Sequence, residues 1–320
     1  MNANSFKFKE IIAKNNSFAI ISHLSPDGDN LGALLSIFYY LKNLGKKVFA
    51  IELDKIPKSL QFVVEDILFT NDTNIEVDVL IALDCGDKKR LGEIDNIFDN
   101  AKEIIKIDHH LSEEYYGTLN IVDSNISSTC ELISNILFDI DANINDKIAT
   151  LLLMGILTDT GRFLYERADY NTFITTSKLL KLGAKKDFLM KKLFQSSDLN
   201  ALKLVNKINN EAEFYYNNKL VISSVTTDVL NKYNLETSDV DEAINYYRDS
   251  SEVEVSCMIK QKEDNLFKIS FRSKSYIDVN KIAETFGGGG HKFAAGCAVE
   301  GSLKFVKNKI IERFKDIEWE

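Results

Sequence analysis

The first half of this chain alternates short apolar runs with stretches of helical periodicity, and that alternation narrows the fold more than any other feature. Phe18-Ala-Ile-Ile-Ser22, Lys47-Val-Phe-Ala-Ile51, Val77-Asp-Val-Leu-Ile-Ala-Leu83 and Glu103-Ile-Ile-Lys-Ile107 read as strands. Between the first two, residues 30–44 carry apolar side chains at helical spacing and stop at Gly45, a residue suited to end a helix. Residues 127–158 predict two further helices, the second of which, 148–157, is apolar enough to be buried. Strands that alternate with helices build a parallel sheet flanked by helices, so the expected class is α/β.

Residues 185–211 are rich in Lys, Asn and Leu and lack strand signals, after which the pattern restarts. Strands are expected at 219–225, 253–260 and 266–272, then a helix at 279–286 that runs into Gly287-Gly-Gly-Gly-His291. The reading is therefore a domain at 1–184, a helical connector at 185–212 and a smaller α/β domain at 213–320. A chain of 320 residues has room for two apolar cores.

Several function classes are disfavoured. The N-terminus has no basic stretch followed by an apolar run, and no apolar stretch reaches the roughly 18 residues of a membrane span. A cytoplasmic location away from membranes is expected. Cys85, Cys130, Cys257 and Cys297 are widely spaced and form no C-x-x-C pair, so they read as reduced core thiols rather than a zinc site. A net charge of −9 argues against wrapping long duplex nucleic acid. A small anionic substrate held by cations remains compatible with it.

All four histidines fall in loops that follow expected strands or close the glycine run. His23-Leu-Ser-Pro-Asp27-Gly-Asp29 follows the first strand, at the carboxyl end of an open sheet where ligands bind. Asp27 and Asp29 can point to two different ions, although an Asp-Gly turn with an N-capping Asp also fits the segment. Asp84 ends the third strand and Asp108-His109-His110 the fourth. Of the paired histidines one can bind metal while the other faces substrate, with Asp108 orienting a ring; a pair of solvated loop histidines is the alternative. Asp159 closes an apolar helix, as a ligand or as a helix-end cap. Together these residues suit a binuclear site, and histidine plus carboxylate without thiolate suits Mn²⁺, with Mg²⁺ or Fe²⁺ as substitutes. Such a site fits phosphoryl transfer, in which cations neutralise the phosphate and activate water.

Taken in order, His23-x-x-x-Asp27-x-Asp29, Asp84, Asp108-His109-His110 and Asp159 resemble the motifs of the DHH phosphoesterases. Gly287 to Gly290 with His291-Lys-Phe-Ala-Ala-Gly296 resembles the signature of the DHH-associated C-terminal domain. The resemblance implies that His23 and Asp27 bind one metal, that Asp29, His109 and Asp159 bind the other, and that Asp84 bridges the two. It implies that His110 stabilises charge at the scissile phosphate, and that Arg272, Gly288, Gly289, Gly290 and His291 hold the nucleotide. From the residues alone, the glycine run also reads as a hinge and Arg272 as a surface ion-pair partner. Ser127-Ser-Thr129 opens a helix, as a cap or as a phosphate contact. One departure is Ala33, where many relatives carry Ser.

The resemblance points to an oligoribonuclease of the nano-RNase kind, acting on RNAs a few nucleotides long and on phosphoadenosine phosphate. Cyclic di-AMP or its linear product pApA is the alternative substrate, and a non-catalytic nucleotide-binding or RNA-binding protein is the alternative class. The expected partners are a short RNA or nucleotide and, as a homodimer, a second copy of the chain.

Overall fold

The computed structural model describes residues 2–111 and 114–319. It divides into two units, 1–196 and 197–320.

The first unit runs α1 (Ala3–Lys14), β1 (Ser17–Ser22), α2 (Gly28–Asn43), β2 (Lys47–Ile51), β3 (Phe69–Thr70), β4 (Val79–Leu83), α3 (Asp95–Asn100), β5 (Glu103–Asp108), β6 (Leu119–Val122), α4 (Thr129–Asp139), α5 (Asp146–Asp159), α6 (Tyr170–Lys181) and α7 (Lys186–Phe194). Its six strands are all parallel, in the order β3-β2-β1-β4-β5-β6. The near-continuous apolar strands follow from this arrangement, because both faces are covered. Phe18, Ile20, Val79, Ile81, Ile105 and Ile107 pack with the apolar sides of α2, α4 and α5. Ala19, Ile21, Leu80, Ala82 and Ile104 fill the opposite face with Ile94 and Ile97.

Two features of this unit position the site. The chain leaves β1 toward one edge of the sheet and returns to β4 on its other side, so the strand order reverses between β1 and β4. That reversal opens a crevice at the carboxyl ends of the two strands. Second, α2 and α5 lie close together: a Cβ on Gly32 would come within 2.6 Å of the Leu151 carbonyl. Glycine there lets the two helix backbones approach.

The second unit runs α8 (Leu199–Asn210), β7 (Glu213–Tyr215), β8 (Leu220–Val225), α9 (Thr227–Tyr233), α10 (Ala243–Arg248), β9 (Val255–Glu263), β10 (Leu266–Ser273), α11 (Val279–Glu284), β11 (Gly289–His291), β12 (Ala294–Glu300) and α12 (Leu303–Arg313). Its sheet has the order β11-β12-β10-β9-β8-β7 and is antiparallel except where β8 meets β9. Phe267, Ile269, Phe271 and Val299 pack on one face with Val279, Val306 and Ile310. Met258 and Val225 lie on the other, with Leu204, Leu230 and Ile244.

The stretch read as a connector contains two helices with different allegiances. Leu189 of α7 is buried in the first unit's core, and Leu204 and Ile208 of α8 are buried in the second's. Among the described residues no helix is long and apolar enough to cross a membrane.

Candidate metal centre

His23, Asp84, Asp108, His109 and His110 sit at the carboxyl ends of β1, β4 and β5, Asp27 and Asp29 at the amino end of α2 and Asp159 at the carboxyl end of α5, and the fold brings them to one place. After β1 the chain turns through Ser25, at φ 63°, to Asp27. Asp27 caps α2, its Oδ1 accepting from Asn30 N–H at 2.9 Å. Its Oδ2 lies 3.8 Å from His23 Nε2. The capping and ligand readings of Asp27 are thus compatible, since they use different oxygens.

Asp29, in the first turn of α2, is fully buried. Its carboxylate accepts the backbone N–H groups of Thr129, at 2.7 Å, and Cys130, at 2.9 Å. These belong to the first turn of α4, where unpaired amides and the helix dipole favour negative charge. The cap of α4 itself is Ser128, which accepts from Glu131 N–H at 3.0 Å. Gly155 of α5 makes room for Asp29: a Cβ there would lie 2.4 Å from Asp29 Oδ1 and 2.3 Å from Cys130 Sγ.

Asp84 stands at the reversal of the sheet, in the left-handed region at φ 56°. Its Oδ2 is 3.4 Å from His23 Nε2, and its Oδ1 is 3.6 Å from His109 Nε2 and 3.5 Å from His110 Nδ1. Thr129 Oγ donates to Oδ1 at 2.9 Å. His109 Nε2 also lies 3.2 Å from Asp159 Oδ2, and His110 Nδ1 lies 2.8 Å from Asp108 Oδ1. Three groups follow, each with ligand atoms within 4.8 Å of one another: His23, Asp27 and Asp84; Asp29, His109 and Asp159; and Asp84, His109 and His110.

Burial and neighbouring charges shift the titration of these groups in different directions. Desolvation, followed by the charges of Asp84 and Asp159, pushes the Asp27 carboxyl up toward about 6, an effect that its 55% exposed side chain moderates. Asp29 is raised well above the carboxylate range for the same reasons in the same order. Burial disfavours ionised Asp84, but the His23 hydrogen bond and the His109, His110 and His23 charges outweigh it and hold Asp84 low. Burial also opposes charge on His109, yet the Asp159 hydrogen bond and the charges of Asp159, Asp29 and Asp84 push it up to about 10. His23 is raised against its burial by Asp84 and then Asp27. Carboxylates crowded in a poorly hydrated site disfavour one another's charge, and a divalent cation would relieve them. Oxygen and imidazole donors without thiolate fit a metal of the Mg²⁺, Mn²⁺ or Fe²⁺ type.

Residues 17–156 match the DHH family, N-terminal domain, and residues 217–318 match the DHHA1 domain. A probable bifunctional oligoribonuclease and PAP phosphatase NrnA of Streptococcus mutans is 30% identical over 90% of this chain and 92% of its own length. The chain belongs to the DHH family. The Thermus thermophilus protein named bifunctional oligoribonuclease and PAP phosphatase NrnA is 27% identical, over 93% of this chain and 89% of its own. Among solved structures, an exopolyphosphatase-related protein from Bacteroides fragilis superposes with a TM-score of 0.91 at 27% identity, covering 98% of this chain and 96% of its own. Enzymes of this family are metal-dependent phosphoesterases, and the donor set described above is of a kind that could serve a metal.

The remaining candidates belong to the second unit. Arg272 on β10 pairs with Ala294 on β12, which pairs with His291 on β11. Residues in register share a face of the sheet, so Arg272 and His291 flank Ala294 on the face opposite Phe271 and Ala295. The glycines differ among themselves. A Cβ on Gly288 would lie 2.2 Å from the Gly296 carbonyl, and one on Gly290 2.5 Å from the Ala294 carbonyl. Gly289 meets nothing closer than 3.8 Å. Close approach to β12 therefore accounts for Gly288 and Gly290.

Thr129 and the first turn of α4 are contributions that sequence reasoning had placed with helix capping or substrate. The signal available was only a polar Ser-Ser-Thr run before a helix; that its third residue reaches Asp84 depends on packing 45 residues away. Ala33 is buried in the core that α2 shares with its neighbours.

Proposed function

We propose that this protein is a phosphoesterase that uses two Mn²⁺ ions to hydrolyse RNAs a few nucleotides long to mononucleotides and to remove a phosphate from phosphoadenosine phosphate. The observation that carries the reading is the place of Asp84, which stands between a His23–Asp27 pair on one side and His109 on the other, at the sheet's reversal. In this reading His23 and Asp27 would hold one ion and Asp29, His109 and Asp159 the second, and Asp84, whose Oδ2 faces His23 and whose Oδ1 faces His109, would serve both.

Bound divalent ions would supply charge neutralisation and an acidified water for attack on phosphorus. The chain's own groups then do four things. Asp29 is held by two backbone N–H groups and Asp84 by the Thr129 hydroxyl, so both carboxylates are oriented before any ion arrives. Asp108 Oδ1 accepts a hydrogen bond from His110 Nδ1 and so directs that ring, which faces the scissile phosphate and steadies charge there. Arg272 binds phosphate through its planar fork. His291 and the Gly288–Gly290 backbone contact the base or a second phosphate.

The names of the relatives from Streptococcus mutans and Thermus thermophilus support the choice of substrate. The test is Mn²⁺-dependent turnover on a matched panel: a 5′-phosphorylated ribodinucleotide, a pentaribonucleotide, phosphoadenosine phosphate, cyclic di-AMP and pyrophosphate. Cleavage of the dinucleotide and pentamer, with cyclic di-AMP slow, is the expected result. A preference for cyclic di-AMP would make the protein a signalling phosphodiesterase. Silence on every substrate would leave a nucleotide-binding protein.

A further inference from the structure

β5 carries one residue that a strand at the centre of an apolar core has no reason to hold. Lys106 is fully buried, and lysine is almost never found so unless its charge is paired. Its Nζ donates to the Gly86 carbonyl at 3.1 Å and to the Glu114 carbonyl at 2.9 Å, and lies 3.4 Å from Asp108 Oδ2. It also sits 4.8 Å from the centre of the Tyr116 ring, whose hydroxyl donates to the Cys85 carbonyl at 2.9 Å. Three directions from one ammonium thus reach the loop after Asp84, the loop after His110, and Asp108 itself.

Asp108 is the informative partner. Its Oδ1 faces His110 Nδ1 at 2.8 Å and accepts His110 N–H at 3.2 Å. Its Oδ2 accepts no hydrogen bond among the described residues. A buried carboxylate needs compensation for the hydration it has lost, and the Lys106 ammonium supplies it. His110 Nδ1 faces two carboxylate oxygens, Asp108 Oδ1 at 2.8 Å and Asp84 Oδ1 at 3.5 Å, a geometry that suits an Nδ1–H donor and leaves the ring's lone pair on Nε2.

We infer that Lys106 is a positioning residue for the reaction, acting through Asp108 to fix the tautomer and orientation of His110. The inference rests on the phosphoester-hydrolase reading for its effect on turnover. Its structural half, the Lys106–Asp108–His110 chain, is independent of that reading. Among the described residues the hydrogen bonds and ion pair of Lys106 go to Gly86, Glu114 and Asp108, and Asp108 links it to the His110 ring.

The experiment compares Lys106→Met, Asp108→Asn and the double variant in the full chain. Two readouts are used: steady-state hydrolysis of a 5′-phosphorylated ribodinucleotide with Mn²⁺, and ¹⁵N NMR of the His110 ring in metal-free protein. Lys106→Met should lower kcat by about tenfold or more while KM stays within about twofold, the size typical of losing an outer-shell support. Because the lysine acts through the aspartate, the double variant should be no slower than the worse single one. His110 should be the Nδ1–H tautomer in the native protein and lose that preference in each variant.

Losses that multiply in the double variant would overturn the inference, as would unchanged kcat in a folded Lys106→Met protein or an unchanged His110 tautomer. Should Lys106→Met not fold, Lys106→Arg, which keeps the charge, is expected to retain the Nδ1–H tautomer, and its loss in a folded arginine variant would also overturn the inference. If the native protein hydrolyses no substrate while the NMR results hold, the hydrolase reading fails and the Lys106–Asp108–His110 chain stands.

Discussion

The two units each rest on a six-stranded sheet, yet they offer candidate functional groups in different ways. In the first, every strand runs the same direction, so the loops after β1, β4 and β5 emerge at one edge. Asp84, Asp108 and His109 are buried there, together with Asp29 from α2. In the second, strands run both ways and the polar connections are shared between two edges. Its candidates, Arg272 and His291, come instead from one face of the sheet, two strands apart. The parallel sheet of the first unit gathers its carboxylates at one end, where a cation would relieve them, whereas the mixed sheet of the second spreads its candidates over a face.

The largest effect that would break this contrast is at Asp84. Asp84→Ala should reduce turnover by about a thousandfold or more while far-UV circular dichroism stays native. It should also weaken Mn²⁺ binding measured by calorimetry. Retained turnover would remove the shared carboxylate from the mechanism.

Gly155→Ala tests whether the crowding itself matters. Its Cβ would press on Asp29 Oδ1 and Cys130 Sγ, so a loss of about 1–3 kcal/mol in unfolding free energy is expected, with weaker Mn²⁺ binding. Full metal affinity in that variant would show that Asp29 need not be held where it is. Arg272→Ala should raise KM by about tenfold and leave kcat nearly unchanged, as for a contact made equally in ground and transition states. A fall in kcat at constant KM would move Arg272 from binding to chemistry.

The smallest effect concerns pH in the metal-free protein. The His109 value is raised from 6.5 to about 10 by folding. A raised imidazole contributes stability that is fully present below the unfolded value and lost as pH climbs through the folded one. The melting temperature of metal-free protein should therefore fall by a few degrees between pH 6.5 and 10. If His109 binds Mn²⁺ as proposed, it does so as the neutral imidazole and that slope should flatten; an identical slope with and without metal would separate His109 from the ion.

Much of this fold is legible in the sequence. Apolar runs of strand length marked β1, β2, β4 and β5, because burial on both faces leaves an unbroken hydrophobic signal. The short β3 and β6 at the sheet's ends lacked that signal, and so did β12, where Ala294, Ala295 and Gly296 carry little side chain to read. Aspartate and histidine at the carboxyl ends of parallel strands were legible as a candidate site, and the structure brings them together for the topological reason that gathers those loops.

What tertiary structure alone decided is how those groups are held. The amides of Thr129 and Cys130 meet Asp29 across about a hundred residues of chain, separations of 100 and 101 positions. Thr129 reaches Asp84 across 45 positions, and Lys106 reaches the Gly86 carbonyl across 20. Local sequence can specify a strand, a cap or a charged loop, since these depend on neighbours in the chain. Which amide faces which carboxylate depends on the packing of α2, α4 and α5 against one sheet, a condition set by the whole core at once.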